Sequence, residues 1–142
     1  MSHGFTLIEL LIVIALGIII VAITVPIGLN FYNNQILDEA SKDILSTLRK
    51  AQSYSMFQKN NSAFGIKFLS DSYVLFQGVS YGARTQSQDE IFNLASGIST
   101  SGVNEIVFSR IAGTTTASTL TIRSGNNNQV ISINTYGKAE IQ

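Results

Sequence analysis

Phe5-Thr6-Leu7-Ile8-Glu9 opens an apolar run in which Glu9 is the one charged side chain before Asp38. This run constrains everything else. From Leu7 to Leu29 it is long enough to cross a bilayer, which takes about 20 helical residues, and it is apolar on every face, as a helix among lipids or other such helices must be. An acidic side chain at the bilayer centre costs about 2.5–3.5 kcal/mol on insertion scales, so Glu9 reads as a functional residue awaiting a partner. No cation lies inside the same segment. The partner must come from the chain's own terminus, from another molecule or from headgroup water. The plain alternative is a carboxylate that reaches the headgroups from a helix N-terminus, where the dipole favours an acid.

The segment Gly4-Phe5-Thr6-Leu7-Ile8-Glu9-Leu10-Leu11-Ile12-Val13-Ile14 resembles the class III signal of type IV prepilins and of the pseudopilins of type II secretion. The resemblance implies cleavage between Gly4 and Phe5 by a membrane prepilin peptidase, which then methylates the new N-terminal amine of Phe5. It makes Glu9 the family's assembly residue, able to reach the Phe5 amine of a neighbouring subunit. Pro26 falls where pilins often carry a helix-bending proline. Gly4 suits the cut because a residue without a side chain lets extended backbone enter a cleft. An ion pair in low dielectric offsets a desolvation cost that neither charge bears well alone.

The remaining implications follow from the same resemblance. The partners are the peptidase/methyltransferase, other pilin or pseudopilin subunits, an inner-membrane assembly platform and membrane lipid. The chain is expected to be single-pass in the cytoplasmic membrane with its C-terminal domain outside, then part of an extracytoplasmic filament. Before the cut only His3 and the Met1 amine can be positive, so this orientation rests on the resemblance rather than on a basic flank. No small-residue cleavage site follows the apolar run, so an ordinary secretory signal peptide is not expected.

Past Asn30 the pattern becomes amphipathic. Leu37, Ala40, Ile44, Leu48 and Ala51 recur at three- and four-residue steps, with Asp38, Glu39, Lys42, Asp43, Arg49 and Lys50 on the other face. One helix is expected from about Phe5 to Lys59, with Asn60-Asn61-Ser62 as its stop. Beyond it Ala63–Phe68 and Ser72–Gln77 flank Leu69-Ser70-Asp71 as a hairpin. Glu105–Arg110, Thr119–Arg123 and Gln129–Asn134 alternate as strands, with Gly125 to Asn128 as a turn. The polar stretch from Gly78 to Asp89 reads as a mobile loop.

The expected fold is therefore α+β: a long N-terminal helix, membrane half plus amphipathic half, packed on a small antiparallel β-sheet domain of pilin type. Its parts are a leader (1–4), a membrane or filament-core helix (5–29), an amphipathic helix (30–59) and a β-rich domain (60–142). The order of helix and hairpin resembles the minor pseudopilin H and FimT-like branch, whose members pack one or two small sheets on the helix.

Other function classes are poorly served. With no Cys, and its single His in the segment to be removed, the mature chain has no Ser-His-Asp or Cys-His arrangement. Asp71, Asp89, Glu90 and Glu105 sit among turn or edge signals where solvated acids are the ordinary reading. No cofactor or metal is expected, and Asn126 to Asn128 reads as a polar turn rather than a calcium loop. The alternative is DNA capture for uptake by a FimT-like minor pilin. It needs a basic stripe, which folding could assemble from Arg84, Arg110 and Arg123, yet nine basic and nine acidic residues leave no net charge. Nucleic acid is not an expected partner.

Overall fold

The computed structural model describes residues 5–142, with only the backbone described at Val25, Pro26, Ile27 and Leu29. The leader reading, with His3 and Gly4, lies outside the described residues. Two compact units result, 1–33 and 34–142.

The first unit is apolar helix. Helix α1 spans Leu7–Met56, within one turn of both expected ends, and Pro26 falls inside it. From Leu7 to Thr24 it is long and apolar enough to cross a membrane, and none of that stretch is buried within the chain.

The second unit is the rest of α1 with eight strands in two antiparallel sheets. The strands are β1 (Phe64–Phe68), β2 (Ser72–Gln77), β3 (Glu90–Asn93), β4 (Ile98–Gly102), β5 (Glu105–Phe108), β6 (Ser118–Ser124), β7 (Asn127–Ile133) and β8 (Ala139–Ile141). One sheet has the order β3-β2-β1-β5 and the other β4-β6-β7-β8. Gly125, at φ 58, takes the first position of the two-residue turn between β6 and β7. The helix stops one residue pattern earlier than Asn60: Gln58, Asn60 and Asn61 all have φ near 54. Two of these are asparagine, which tolerates the left-handed region better than most residues.

The expected stripe is the core. Leu37, Ile44, Leu48 and Ala51 are buried in one cluster with Phe64, Ile66, Phe68, Leu75, Ile106 and Phe108 of the first sheet and Leu120, Ile122, Ile131 and Ile133 of the second. Period-3.6 and period-2 residues thus meet on one side of each element, and each full burial contributes about 1.5–3 kcal/mol. Three hydroxyls also lie buried in the stripe. Ser41 Oγ donates to Leu37 O (2.7 Å) and Thr47 Oγ1 to Asp43 O (2.9 Å), whereas Ser55 Oγ accepts the Phe64 N–H (2.9 Å) and so ties the helix end to β1.

The stretch from Gly78 to Asp89 corrects its reading as a mobile loop. Phe76 is wholly buried although its β2 neighbours Tyr73 and Leu75 face the helix core. It lies opposite Gly65, where a Cβ would stand 2.6 Å from both Phe76 Cζ and the Ile106 carbonyl oxygen. Tyr81 covers Phe76 edge-on at 5.6 Å, and the Arg84 guanidinium lies 3.8 Å over the Tyr81 ring. Arg84 Nε donates to Asp89 Oδ2 (2.8 Å), Arg84 Nη1 donates to Tyr81 O (2.7 Å), and the Tyr81 N–H donates to Glu105 Oε1 (2.9 Å). A loop that keeps Phe76 from water is pinned for that reason. Asp89 and Glu105 are therefore not the solvated acids expected.

Burial pushes the Tyr73 phenol above its ordinary pKa; the Asp43 charge adds to this, and a hydrogen bond from the Thr47 side opposes it. The folded state then holds that proton more tightly than the unfolded chain. Its contribution is intact below the ordinary value of about 10 and is lost as pH rises beyond it. A fragment of residues 34–142 is expected to melt cooperatively as a monomer and to lose stability above about pH 10. Tyr73→Phe should flatten that alkaline fall in urea titrations, leaving the part due to Lys50, whose pKa the Glu90 hydrogen bond raises.

Candidate processing and assembly site

The start of α1 is built by Thr6. Its Oγ1 accepts the Glu9 N–H at 3.3 Å and its carbonyl accepts the Leu10 N–H at 3.2 Å, so Thr6 is the N-cap and Glu9 stands in the first turn. Thr6-x-x-Glu9 is the spacing of a capping box. Thr6 is the site residue that sequence reasoning passed over, and this spacing was its signal. Phe5, just outside the cap, is 77% exposed. The cap satisfies one helix N–H and leaves the helix dipole favouring an acid at Glu9.

Around Glu9 every described side chain from Leu7 to Thr24 is exposed. Five ion pairs occur among the described residues and none includes Glu9. The site is thus an acid on an apolar rod, in the first turn of α1. Such an arrangement can pair with an amine brought from outside and can do little other chemistry. Phe5, Thr6 and Glu9 are brought together; Pro26 lies five turns further along α1.

Among the described residues no group of three His, Cys, Asp or Glu side chains stands close enough to hold a metal. Of the four acids that sequence alone could have paired, three are matched with cations, Glu90 with Lys50, Asp89 with Arg84 and Glu105 with Lys67 at 3.7 Å, while Asp71 is exposed and in no ion pair, as a solvated acid is expected to be. The three arginines of a basic stripe are held by different neighbours. Asp89 engages Arg84 and raises its pKa by hydrogen bonding, Asn61 holds Arg110 through its Oδ1 (2.6 Å) and carbonyl, and Arg123 lies on β6 of the other sheet.

These features define a capped apolar helix long enough to cross a membrane and a two-sheet domain packed on the later part of α1. The family profile described as the prokaryotic N-terminal methylation motif matches residues 1–25. The fold is similar to that of a solved minor pseudopilin. In two structures the minor pseudopilin EpsH from the type 2 secretion system of Vibrio cholerae aligns with TM-scores of 0.59 and 0.57 at 11% and 12% identity. Each alignment covers 75% of this chain, and 95% or 94% of EpsH. At that identity the likeness speaks to fold alone. No curated protein sequence matches the chain.

Replacing Thr6 with Val keeps its shape and removes the acceptor for the Glu9 N–H. A cap of this kind contributes about 1 kcal/mol, so hydrogen exchange at the Glu9 amide in detergent micelles should rise about fivefold, with exchange beyond the second turn unchanged. Equal rates in both proteins would mean that Thr6 does not set the helix start.

Proposed function

We propose that the chain is a structural subunit of a type IV pilus or type II secretion pseudopilus. The peptidase cuts between Gly4 and Phe5 and methylates Phe5. The subunit is then held in the cytoplasmic membrane by α1, with its domain outside, and assembles into a helical filament by way of an inner-membrane platform. The observation that carries this reading is the matched motif joined to a Thr6-capped helix whose apolar surface lies wholly exposed around one acid.

The physical account is one of cover. Lipid covers the apolar rod in the membrane, and the rods of neighbouring subunits cover it in the filament. Glu9 tells the two states apart, because only in the filament does a neighbour's Phe5 amine reach it. Pro26 removes one backbone donor within α1 and lets the helix bend where subunits pack. The DNA-capture reading is not favoured, since the cations it needs are matched by acids or held apart.

Glu9→Ala lowers the cost of residing in lipid, so insertion and cleavage should persist. What disappears is the pairing, and breaking one partner of a buried pair costs about 3–5 kcal/mol. The ratio of protein in sheared filaments to protein in membranes should fall at least tenfold, roughly, at matched expression. An unchanged ratio would leave Glu9 as a headgroup-seeking acid and end the assembly role.

A further inference from the structure

Strand β5 is the open edge of the first sheet, paired with β1 and nothing else. The Phe68 N–H donates to Asn104 O (2.9 Å) in the same register that sets Ile66 against Ile106 and Phe64 against Phe108. In an antiparallel ladder successive residues alternate between bonding the partner strand and pointing away from it. Residues 104, 106 and 108 therefore bond to β1, and 105, 107 and 109 point outward. Ser109 is already engaged, its N–H by Thr114 O (2.8 Å) and its carbonyl by the Gly113 N–H (2.9 Å). The free backbone groups of the edge are those of Glu105 and Val107.

A trough runs along this edge. Two cavities of about 590 and 380 Å³ share Val107, Thr115 and Thr116 as lining residues. The larger has Ala63, Val79 and Val107 as its apolar lining, and Arg110 as its one charged lining residue. Asn61 holds Arg110 through one terminal nitrogen, and among the described residues no carboxylate pairs with it. The smaller cavity has one acid, Glu105, already engaged by Lys67 and the Tyr81 N–H. It also has Ser118, whose Oγ is buried with no hydrogen-bond partner. Natural edge strands are shortened, charged or covered because unpaired edges recruit other strands. This one instead opens on a trough with hydroxyls on its far wall and a fixed cation at one end.

We propose that this trough docks an extended, carboxylate-bearing segment of another protein subunit, which adds as a strand beside β5 and places its acid on Arg110. Backbone groups of the segment bond to Glu105 and Val107, and one of its alternate side chains packs on Val79 and Val107. At about 3.3 Å per residue the acid lies about three residues from the one opposite Val107. Charge complementarity selects an acidic segment over a basic one, because Arg110 still has donors to offer. The site belongs to the second unit alone and does not depend on processing at Gly4.

The test uses the full chain in detergent micelles and a labelled, end-blocked decapeptide alternating Thr and Val with one Glu. Fluorescence anisotropy should show saturable binding that weakens about tenfold when Glu is replaced by Gln and is diminished by salt. Arg110→Gln, which keeps a donor toward Asn61, should erase the Glu preference, and Arg110→Glu should reverse it toward a Lys peptide. Methylating backbone nitrogens on one edge of the peptide should abolish binding, while methylating the other edge should spare it. Equal binding of Glu and Gln peptides, equal effects of methylation on both edges, or no saturable binding at millimolar peptide would overturn the proposal. So would self-association of the chain that Arg110→Glu abolishes without any peptide binding, since the occupant would then be a second copy.

Discussion

Apolar surface without cover in its own chain is the constraint on which this protein turns. The stripe from Leu37 to Ala51 is covered by two sheets, and burial there holds the second unit together. The surface from Leu7 to Thr24 has no such cover. It needs lipid or other helices, so the first unit has a stable environment only outside the chain. An acid placed on that surface is stable at the helix N-terminus beside water and costly deeper in. In the function proposed above, the position of Glu9, one turn after Thr6, is what lets the same helix reside in a bilayer and pack against neighbours.

The second unit is also tied together by polar contacts between its elements. Its helix end is tied to β1 through Ser55, and the Lys50–Glu90 ion pair joins α1 to β3. Half-exposed pairs like this one contribute little stability, about 0–1 kcal/mol each. They do remove unpaired charge from the surface. Arg110 is in none of these pairs, and it lines the trough beside β5.

Periodicity made much of this fold legible before any coordinates. The buried stripe on α1 and strands β5, β6 and β7 announce themselves by 3.6- and 2-residue alternation, because each packs one face on the core, whereas β1 and β2 show as two runs flanking the turn at Leu69-Ser70-Asp71, β2 being buried on both faces. The strands that escaped notice are β3, β4 and β8, and all three are sheet edges. Edge strands are short and polar in natural sheets: β4 reads Ile-Ser-Thr-Ser-Gly, with only Ile98 buried. Ser41, Thr47 and Ser55 were hidden for another reason, since a hydroxyl satisfied by backbone can sit in an apolar stripe. The loop from Gly78 to Asp89 looked mobile because its composition is polar, while its one decisive residue, Tyr81, acts through a ring. At the N-terminus the acid was plain in the sequence and its cap was not.

The central claim is that α1 begins life behind a leader and reaches its working state with a new, methylated N-terminus at Phe5. Intact-mass and N-terminal fragment spectra of the protein, purified from membranes of a host that has the cognate peptidase, test it most directly. The account predicts a single mature species beginning at N-methylated Phe5, and retention of residues 1–4 when Gly4 is replaced by Leu. A parent protein that keeps Met1 to Gly4 in that host would contradict it.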